Sequence, residues 1–188
     1  MVLETADGGD TWVVRFSAAP QSRQLPYFYG LAMTPQRFFA VGTDGVLPVV
    51  VSGDRSGGAV KSAPLGSEPG RVLAVVVAGD SVWLAGERGG ATTRALLFES
   101  SDSGVTWAER TATQLGGIMD LQMPSPIDGT LLDVRGMHGT KDGWKSIERI
   151  ELPIEATQRG VRRLFFVSPA QAFAIGPAGF LSNQRCGG

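Results

Sequence analysis

Four carboxylates lie at predicted turns and strand ends, where they could take part in glycoside hydrolysis. They are Asp44, Glu87, Asp120 and Asp133. A glycoside hydrolase of the usual kind needs two carboxylates facing one cleft, about 5 to 9.5 Å apart. No spacing in the sequence selects such a pair from the four. The chain is therefore predicted not to be an enzyme, and glycoside hydrolysis is kept as the only enzymatic alternative.

Other groups that could do chemistry are few. His138 is the single histidine, so a serine–histidine–aspartate triad would have to use it and zinc would lack a first shell. Cys186 is the single cysteine, which excludes a disulfide within the chain and predicts a surface thiol. Tyr27 and Tyr29 lie in a predicted inner strand and are interpreted as core residues. No cofactor and no metal site is predicted.

A pattern of hydroxyl, Asp, Gly, Thr and Trp occurs twice at the same internal spacing. Asp followed by Gly at the second residue is a turn signal, because the carboxylate accepts from nearby backbone N–H groups and Gly permits positive φ. Thr-Trp then suits the start of a strand. Each copy is predicted to be a hairpin tip with a structural Asp, although weak calcium binding stays open. The members are Thr5, Asp7, Gly9, Thr11 and Trp12, and Ser100, Asp102, Gly104, Thr106 and Trp107.

Three other segments resemble this pattern less well. Residues 52–58 keep the hydroxyl and the Asp but lack Thr-Trp, so they are interpreted as a decayed copy. Residues 182–188 keep only the Ser. Residues 140–144 contain Asp, Gly and Trp at a compressed spacing and are interpreted as an ordinary hairpin turn. The last segment is not counted as a copy.

A second repeated element is an apolar pair followed by Gly-x-x-Gly. Its first glycines are Gly42, Gly86, Gly176 and, in a weaker copy, Gly136. They recur roughly every 40–50 residues, the length of a four-stranded propeller blade. An apolar strand is predicted before each, at residues 27–33, 72–77, 118–123 and 161–167. About four to five repeats are therefore predicted.

The repeated Asp pattern resembles the Asp-box, or bacterial neuraminidase repeat, of β-propellers. The resemblance implies an all-β fold of four-stranded antiparallel blades in a complete or partial ring, over one domain at residues 1–188 that is expected to be a fragment of a larger propeller. Sialidases share this repeat, but they need an arginine cluster and a Tyr nucleophile. The segment that marks their first arginine is absent around Arg15. A sialidase-like or other hydrolase fragment is therefore an alternative only.

The Gly-x-x-Gly layout also looks similar to the propellers of photosystem II assembly factors and related bacterial envelope proteins. That resemblance implies a non-catalytic binding or scaffolding module for a protein or carbohydrate partner, and a secreted or cell-envelope location. No inference about photosynthesis is drawn. The binding surface is expected at rim loops that repeat equivalence groups together, with the residues Asp44, Arg88, His138 and Pro177. A structural array that associates with itself through open sheet edges is the other alternative.

Composition agrees with many short strands. The 188 residues include 26 Gly and 11 Pro, too many for long helices, and 43% of the residues are hydrophobic, which suffices for a core. The net charge of −1 with small charge clusters argues against nucleic-acid binding. No apolar run is long enough for a membrane helix. The sequence carries no signal-peptide pattern after Met1.

Overall fold

The computed structural model describes residues 1–17, 26–89, 93–151, 160–168, 171–176 and 179–184. These residues form strands, turns and bends, and none of them lies in a helix. The described part of the chain accordingly holds no helix of the length and apolarity needed to cross a membrane.

The strands form five antiparallel sheets, called blades A to E in chain order. Blade A contains β1 (Val2–Glu4) and β2 (Val13–Phe16). Blade B contains β3 (Tyr27–Met33), β4 (Arg37–Thr43), β5 (Pro48–Asp54) and β6 (Val60–Pro64). Blade C contains β7 (Gly70–Ala78), β8 (Ser81–Arg88), β9 (Arg94–Ser100) and β10 (Ala108–Glu109). Blade D contains β11 (Ile118–Gln122), β12 (Gly129–Asp133), β13 (Gly136–Thr140) and β14 (Glu148–Ile150). Blade E contains β15 (Arg163–Ser168), β16 (Gln171–Gly176) and β17 (Gly179–Gln184).

The arrangement is a partial β-propeller. Blades B, C and D are four-stranded meanders, in which each strand pairs with the next along the chain. The first strands β3, β7, β11 and β15 contact one another in succession, so they form the inner side of the ring. The predicted all-β fold with four-stranded blades is confirmed. The first predicted strand, residues 27–33, coincides with β3.

The hydrophobic core lies between successive blades. Phe39 and Val41 of β4 pack with Val72 of blade C, while Phe38 and Ala40 of the same strand pack towards blade A. Alternate side chains of one strand thus reach two neighbouring blades. Because both faces are covered, second strands such as β4 are buried over almost their whole length, which is why they read as continuous apolar runs.

The first glycine of the Gly-x-x-Gly element allows a close backbone approach. A Cβ at Gly42 would lie 1.7 Å from the carbonyl oxygen of Tyr27, and one at Gly86 would lie 2.1 Å from that of Arg71. Gly176 faces Gly160 in the same way, at 2.3 Å. Any side chain here would push the second strand away from the start of the first. The repeated glycine therefore sets the spacing of the two innermost strands.

The face of blade E that points away from blade D is apolar and exposed. Phe165 and Ile175 are 63% and 48% exposed there. Together with Leu164, Phe173 and the stem of Arg163 they line a shallow groove of about 290 Å³. In blades B to D, the next blade along the chain covers the equivalent face. The exposed face of blade E is therefore the one against which a further blade would pack.

Candidate functional site

Each blade has two edges with different hairpins. The hairpin between the second and third strands lies beside the start of the first strand, as the pairing of Tyr27 with Thr43 shows. This edge is called the hairpin rim. The hairpin between the third and fourth strands lies at the opposite edge. The two Asp patterns fall in the latter hairpins, between β1 and β2 and between β9 and β10.

The Asp pattern folds into a closed turn held by its own side chains. Asp102 Oδ1 accepts from the N–H of Thr106 at 2.9 Å, and its Oδ2 accepts from the Thr106 hydroxyl at 2.6 Å. The Ser100 hydroxyl donates to Asp102 and accepts from the N–H of Gly104. The first copy has the same bonds: Asp7 accepts from the Thr5 hydroxyl and from the N–H and hydroxyl of Thr11, and the Thr5 hydroxyl accepts from the N–H of Gly9. The name Asp turn is used below for this arrangement.

The tryptophans of the two Asp turns make different contacts. Trp12 Nε1 donates to the carbonyl of Gly9 at 3.0 Å, which closes the tip of its hairpin. Trp107 lies edge-on against Phe39 of blade B, with ring centroids 6.3 Å apart. The Asp turn of blade C is further held to blade B by Arg37, whose Nη1 donates to the carbonyl of Ser103 at 2.5 Å. The Asp turn of blade C therefore acts as a structural clasp between blades B and C.

A third Asp turn lies between β13 and β14, and the interpretation of residues 140–144 as an ordinary hairpin turn is wrong. The Thr140 hydroxyl donates to Asp142 and accepts from the N–H of Trp144, and Asp142 accepts from the N–H and hydroxyl of Ser146. Trp144 therefore stands at the position of Gly104, with φ at +62°. The sequence comparison aligned this Trp with Trp107 and so missed the turn.

The Asp turns keep their carboxylates ionised. Hydrogen bonds from the Ser146 hydroxyl, the Ser146 N–H and the Thr140 hydroxyl lower the pKa of Asp142 to about 2. The hydroxyls and N–H groups of Thr11 and Thr106 hold the pKa values of Asp7 and Asp102 still lower. Because every oxygen is occupied by a donor of the turn, these groups are poor candidates for acid catalysis.

The decayed copy at residues 52–58 lies where its position in the repeat predicts. It forms the hairpin between β5 and β6. The Asp54 carboxylate lies 3.6 Å from Nε of Arg37 on the neighbouring strand. The same Arg37 reaches Ser103, so this hairpin also connects to the clasp between blades B and C. Residues 185–188 lie outside the described part of the chain, and β17 includes Ser182.

Two of the predicted rim residues lie at the hairpin rim. Asp44 caps the hairpin between β4 and β5, where its Oδ1 accepts from the N–H groups of Val46 and Leu47 at 2.9 and 2.7 Å. Arg88, at the end of β8, forms ion pairs with Glu68 and Glu109 at 3.3 and 2.9 Å. Pro177 lies outside the described residues.

His138 does not lie in a rim loop, which corrects the sequence-based expectation. It lies within β13 and is buried, with Nε2 3.2 Å from Asp133 Oδ1. The error came from the weak Gly-x-x-Gly copy. In β12 the residue that occupies the position of Gly42 and Gly86 is Asp133, because it pairs with Ile118 beside the bulge of β11 just as Gly86 pairs with Val72 beside the bulge of β7.

The buried Asp133 carboxylate is fully occupied by donors. Its Oδ2 accepts from the N–H of Gly116 at 2.7 Å, and its Oδ1 accepts from those of Arg135 and Gly136 at 2.7 and 2.8 Å. The His138 ring completes the set. Asp133 thus organises the rim end of blade D.

Asp120 joins blades D and E and is equally unsuited to surface chemistry. Its Oδ2 accepts from the N–H of Leu164 in blade E at 2.6 Å, and its Oδ1 accepts from that of Leu121. Burial raises its pKa, although both hydrogen bonds and the charge of Arg163 oppose this effect. The Asp120 carboxylate therefore accepts hydrogen bonds from both blades at their interface.

A cleft of about 420 Å³ lies at the hairpin rim between blades B and C. Tyr27 and Tyr29 line it and are 63% and 41% exposed, so their interpretation as core residues is wrong; only Phe28 between them packs inward, against Phe16. Arg71 lies over the Tyr29 ring at 5.9 Å, and its Nε donates to Glu87 at 2.7 Å. In the cleft between blades B and C, the positive charge of Arg71 is therefore neutralised by Glu87.

The equivalent cleft between blades D and E has a volume of about 500 Å³. Its charge differs from that of the cleft between blades B and C. Arg135, Arg149 and Arg162 are exposed along it. Met119, Leu132 and Val161 supply its apolar wall. The sequence did not predict this cluster, because its arginines come from three separate strands or strand ends and no local pattern connects them.

Metal binding finds no support in the described residues. Within them, His, Cys, Asp and Glu side chains nowhere gather in a group of three or more that could hold an ion. Each Asp turn presents one carboxylate, whose oxygens already accept from its own hydroxyls and N–H groups.

Comparisons with known proteins place the fold. Neither a protein-family profile nor a curated protein matches the sequence. Among solved structures, YCF48 from Cyanidioschyzon merolae matches 88% of this chain at 18% identity with a TM-score of 0.62. A structure described as YCF48 bound to D1 peptide matches 96% of this chain at 18% identity with a TM-score of 0.66. The extracellular domain of the putative one component system BT4673 from B. thetaiotaomicron matches 82% at 15% identity with a TM-score of 0.59.

This chain spans only part of the structures that it resembles. It covers 55% and 56% of the two YCF48 structures and 21% of the BT4673 domain. At these identities the likeness concerns the path of the backbone, not the side chains that line the rim. The chain is thus similar in fold to about half of a YCF48 structure, as a partial β-propeller.

Proposed function

We propose that this chain is a non-catalytic β-propeller module that binds a protein partner at the hairpin rim. The observation that carries the proposal is the pair of open clefts at that rim, one between blades B and C and one between blades D and E. Both are bounded by strands of two rigid blades, the kind of concave site that binding proteins use. The likeness to YCF48 bound to D1 peptide supports a polypeptide as the partner.

The state of the candidate carboxylates supports a binding role over hydrolysis. Asp44 and Asp133 accept from backbone N–H groups, and Asp120 accepts from a neighbouring blade. Glu87 is paired with Arg71. A hydrolase needs one carboxyl group free to donate a proton and another free to attack or activate water. In this chain the described candidates hold the fold together instead.

We further propose that the chain belongs to the Asp-box class of propellers. We also propose that it works in a secreted or cell-envelope location. Three turns with the same hydrogen bonds support the first part, at Asp7, Asp102 and Asp142. The location follows from the resemblance alone. Of the rim residues, we retain the half-buried Asp44 as a contact, while Arg88 is a structural ion-pair partner.

The proposed function is tested by an array of defined peptides probed with the purified chain. We compare the wild type with Tyr27→Ser, at the hairpin rim, and with Val105→Ser, in the Asp turn of blade C. Both replaced side chains are exposed, at 63% and 71%, and they lie at opposite edges of the ring. We expect Tyr27→Ser to lose bound peptides that Val105→Ser retains, with unchanged circular dichroism for both.

Two results would contradict the proposal. Peptides bound equally by both variants would remove the rim from the interaction. Hydrolysis of aryl glycosides by the wild type, abolished by a carboxylate substitution, would make the chain an enzyme.

A further inference from the structure

Charge compensation differs between the two rim clefts. Among the described residues, every arginine except Arg135 and Arg162 has a carboxylate oxygen within 4 Å. Both exceptions line the same cleft, between blades D and E. Arg149, the third arginine there, pairs with Glu151 at 3.5 Å. That pair is widely exposed and therefore weak.

Among the described residues that line this cleft, Asp133 is the single carboxylate, and it cannot neutralise the arginines. Asp133 has no exposed side-chain surface, and its two oxygens accept from three backbone N–H groups and face the His138 ring. Arg135 donates from Nη1 to the carbonyl of Gln114 at 2.8 Å, a neutral partner that holds the guanidinium in place without removing its charge. The described lining of the cleft is therefore positively charged, and its Arg135 side chain is held in place.

In the cleft between blades B and C, the exposed arginine is paired with a carboxylate of the same chain. There Arg71 is held by the carboxylate of Glu87, which follows Gly86 in β8. In blade D the residue after Asp133 is Val134, and in blade E the sequence places Pro177 after Gly176. Among the described residues, the cleft between blades D and E therefore lacks the internal acid that its counterpart has.

The walls add a second requirement for the ligand. Leu132 and Val161 are buried core residues that reach the cleft, and Met119 packs beside them. A volume of about 500 Å³ is within the range of small-ligand sites and fits one or two amino-acid residues. A strongly hydrated inorganic anion would leave this apolar surface uncovered.

We propose that the cleft between blades D and E binds a carboxylate attached to an apolar body, with Arg162 and Arg135 as its cationic partners. The carboxylate has two sources of the same chemistry: the free end of a polypeptide with an apolar last residue, or a small free acid. The first source rests on the proposed function, and the second does not. Guanidinium groups bind carboxylates through short, charge-assisted hydrogen bonds.

The test measures binding of an octapeptide that ends in leucine, labelled at its amino end, by fluorescence anisotropy. The same peptide with an amidated end lacks the carboxylate, and N-acetyl-leucine serves as an unlabelled competitor. Arg162→Ala is the main variant, because the Arg162 side chain is exposed and its loss leaves no partner unpaired. Arg55→Ala is the matched control, because Arg55 is also an exposed arginine but lies in the hairpin between β5 and β6, at the edge opposite the hairpin rim.

We expect the free-acid peptide to bind at least about tenfold more tightly than its amide, and Arg162→Ala to remove about that factor. Arg55→Ala should bind as the wild type does. Competition by N-acetyl-leucine would identify a site for small acids, whereas its failure to compete would identify a polypeptide end.

Equal binding of acid and amide would overturn the proposal, as would wild-type affinity in Arg162→Ala. Competition by inorganic phosphate as effective as that by N-acetyl-leucine would also overturn it, since the apolar body would then be irrelevant. None of these results bears on the peptide array with Tyr27→Ser, so the two proposals fail separately.

Discussion

Blades C and D have the same four strands in the same order, yet they differ at two positions where blade C has glycine. Gly86 in β8 corresponds to Asp133 in β12, and Gly104 in the Asp turn corresponds to Trp144. The comparison shows that a repeat constrains backbone distances and donors more strongly than residue types. Blade D meets the same constraints with other side chains.

The close approach of the inner strands is preserved by moving the glycines. In blade C, Gly86 on the second strand makes room for the carbonyl of Arg71. In blade D, Gly116 and Gly117 precede the first strand, and the Gly116 N–H donates to the Asp133 carboxylate. A Cβ at Gly116 would lie 2.4 Å from Cγ2 of the exposed Val134 side chain, so it would meet a side chain here and not a backbone carbonyl as at Gly86.

The largest effect is expected from Asp133→Ala. The substitution leaves three N–H groups of the rim without their acceptor, and each buried unpaired group costs about 1–3 kcal/mol. We expect the free energy of unfolding to fall by about 3 kcal/mol or more, measured by urea denaturation. Asp44→Ala is the control, because its two donors lie at the surface and can turn to water. Equal losses in both variants would mean that Asp133 does not organise blade D.

Gly86→Ala tests the other solution and should have the next largest effect. Its Cβ would meet the Arg71 carbonyl, a backbone atom that cannot turn aside as a side chain can. Overpacking of this kind costs about 1–3 kcal/mol. Gly89→Ala is the control, since its Cβ would lie 3.9 Å from the Pro69 carbonyl, an ordinary contact. A wild-type urea midpoint for Gly86→Ala would show that the inner strands can separate freely.

The smallest effect concerns the Asp turn of blade D and depends on pH. The pKa of Asp142 is lowered from 3.8 to about 2 in the folded chain, so the folded state binds its proton less readily than the unfolded state does. Its contribution to stability is therefore complete above about pH 4 and is lost as the pH falls through about 2. Asp142→Asn should melt below the wild type at neutral pH, by a margin that narrows over this interval. A margin independent of pH would contradict the linkage.

Much of the fold could be predicted because it depends on local patterns. Three local patterns each indicate a nearby turn or strand: the apolar run of β3, the Asp-x-Gly spacing, and Gly86 near the end of β8. The exposure of Tyr27 and Tyr29 could not be predicted in this way. Both lie in an inner strand, and their surroundings are set by the rim of blade C, more than forty residues further along the chain.

The candidate site was less accessible to sequence reasoning for the same reason. The Asp turn at Asp142 was missed because Trp144 adopts a backbone conformation that usually marks glycine, with its indole buried and donating to Met123. The D–E cleft combines Arg135 and Arg149 of one blade with Arg162 before the next. Only the pairing of strands shows that these residues meet.

The position of the core has a consequence for how such chains unfold and diverge. Since apolar side chains are buried between blades, the unit of cohesion is a junction, and each blade depends on its two neighbours. A blade copied into or deleted from the ring leaves the other junctions intact, provided that its two faces match. Loss of structure should accordingly proceed one junction at a time, because each lost junction exposes an apolar face of the neighbouring blade.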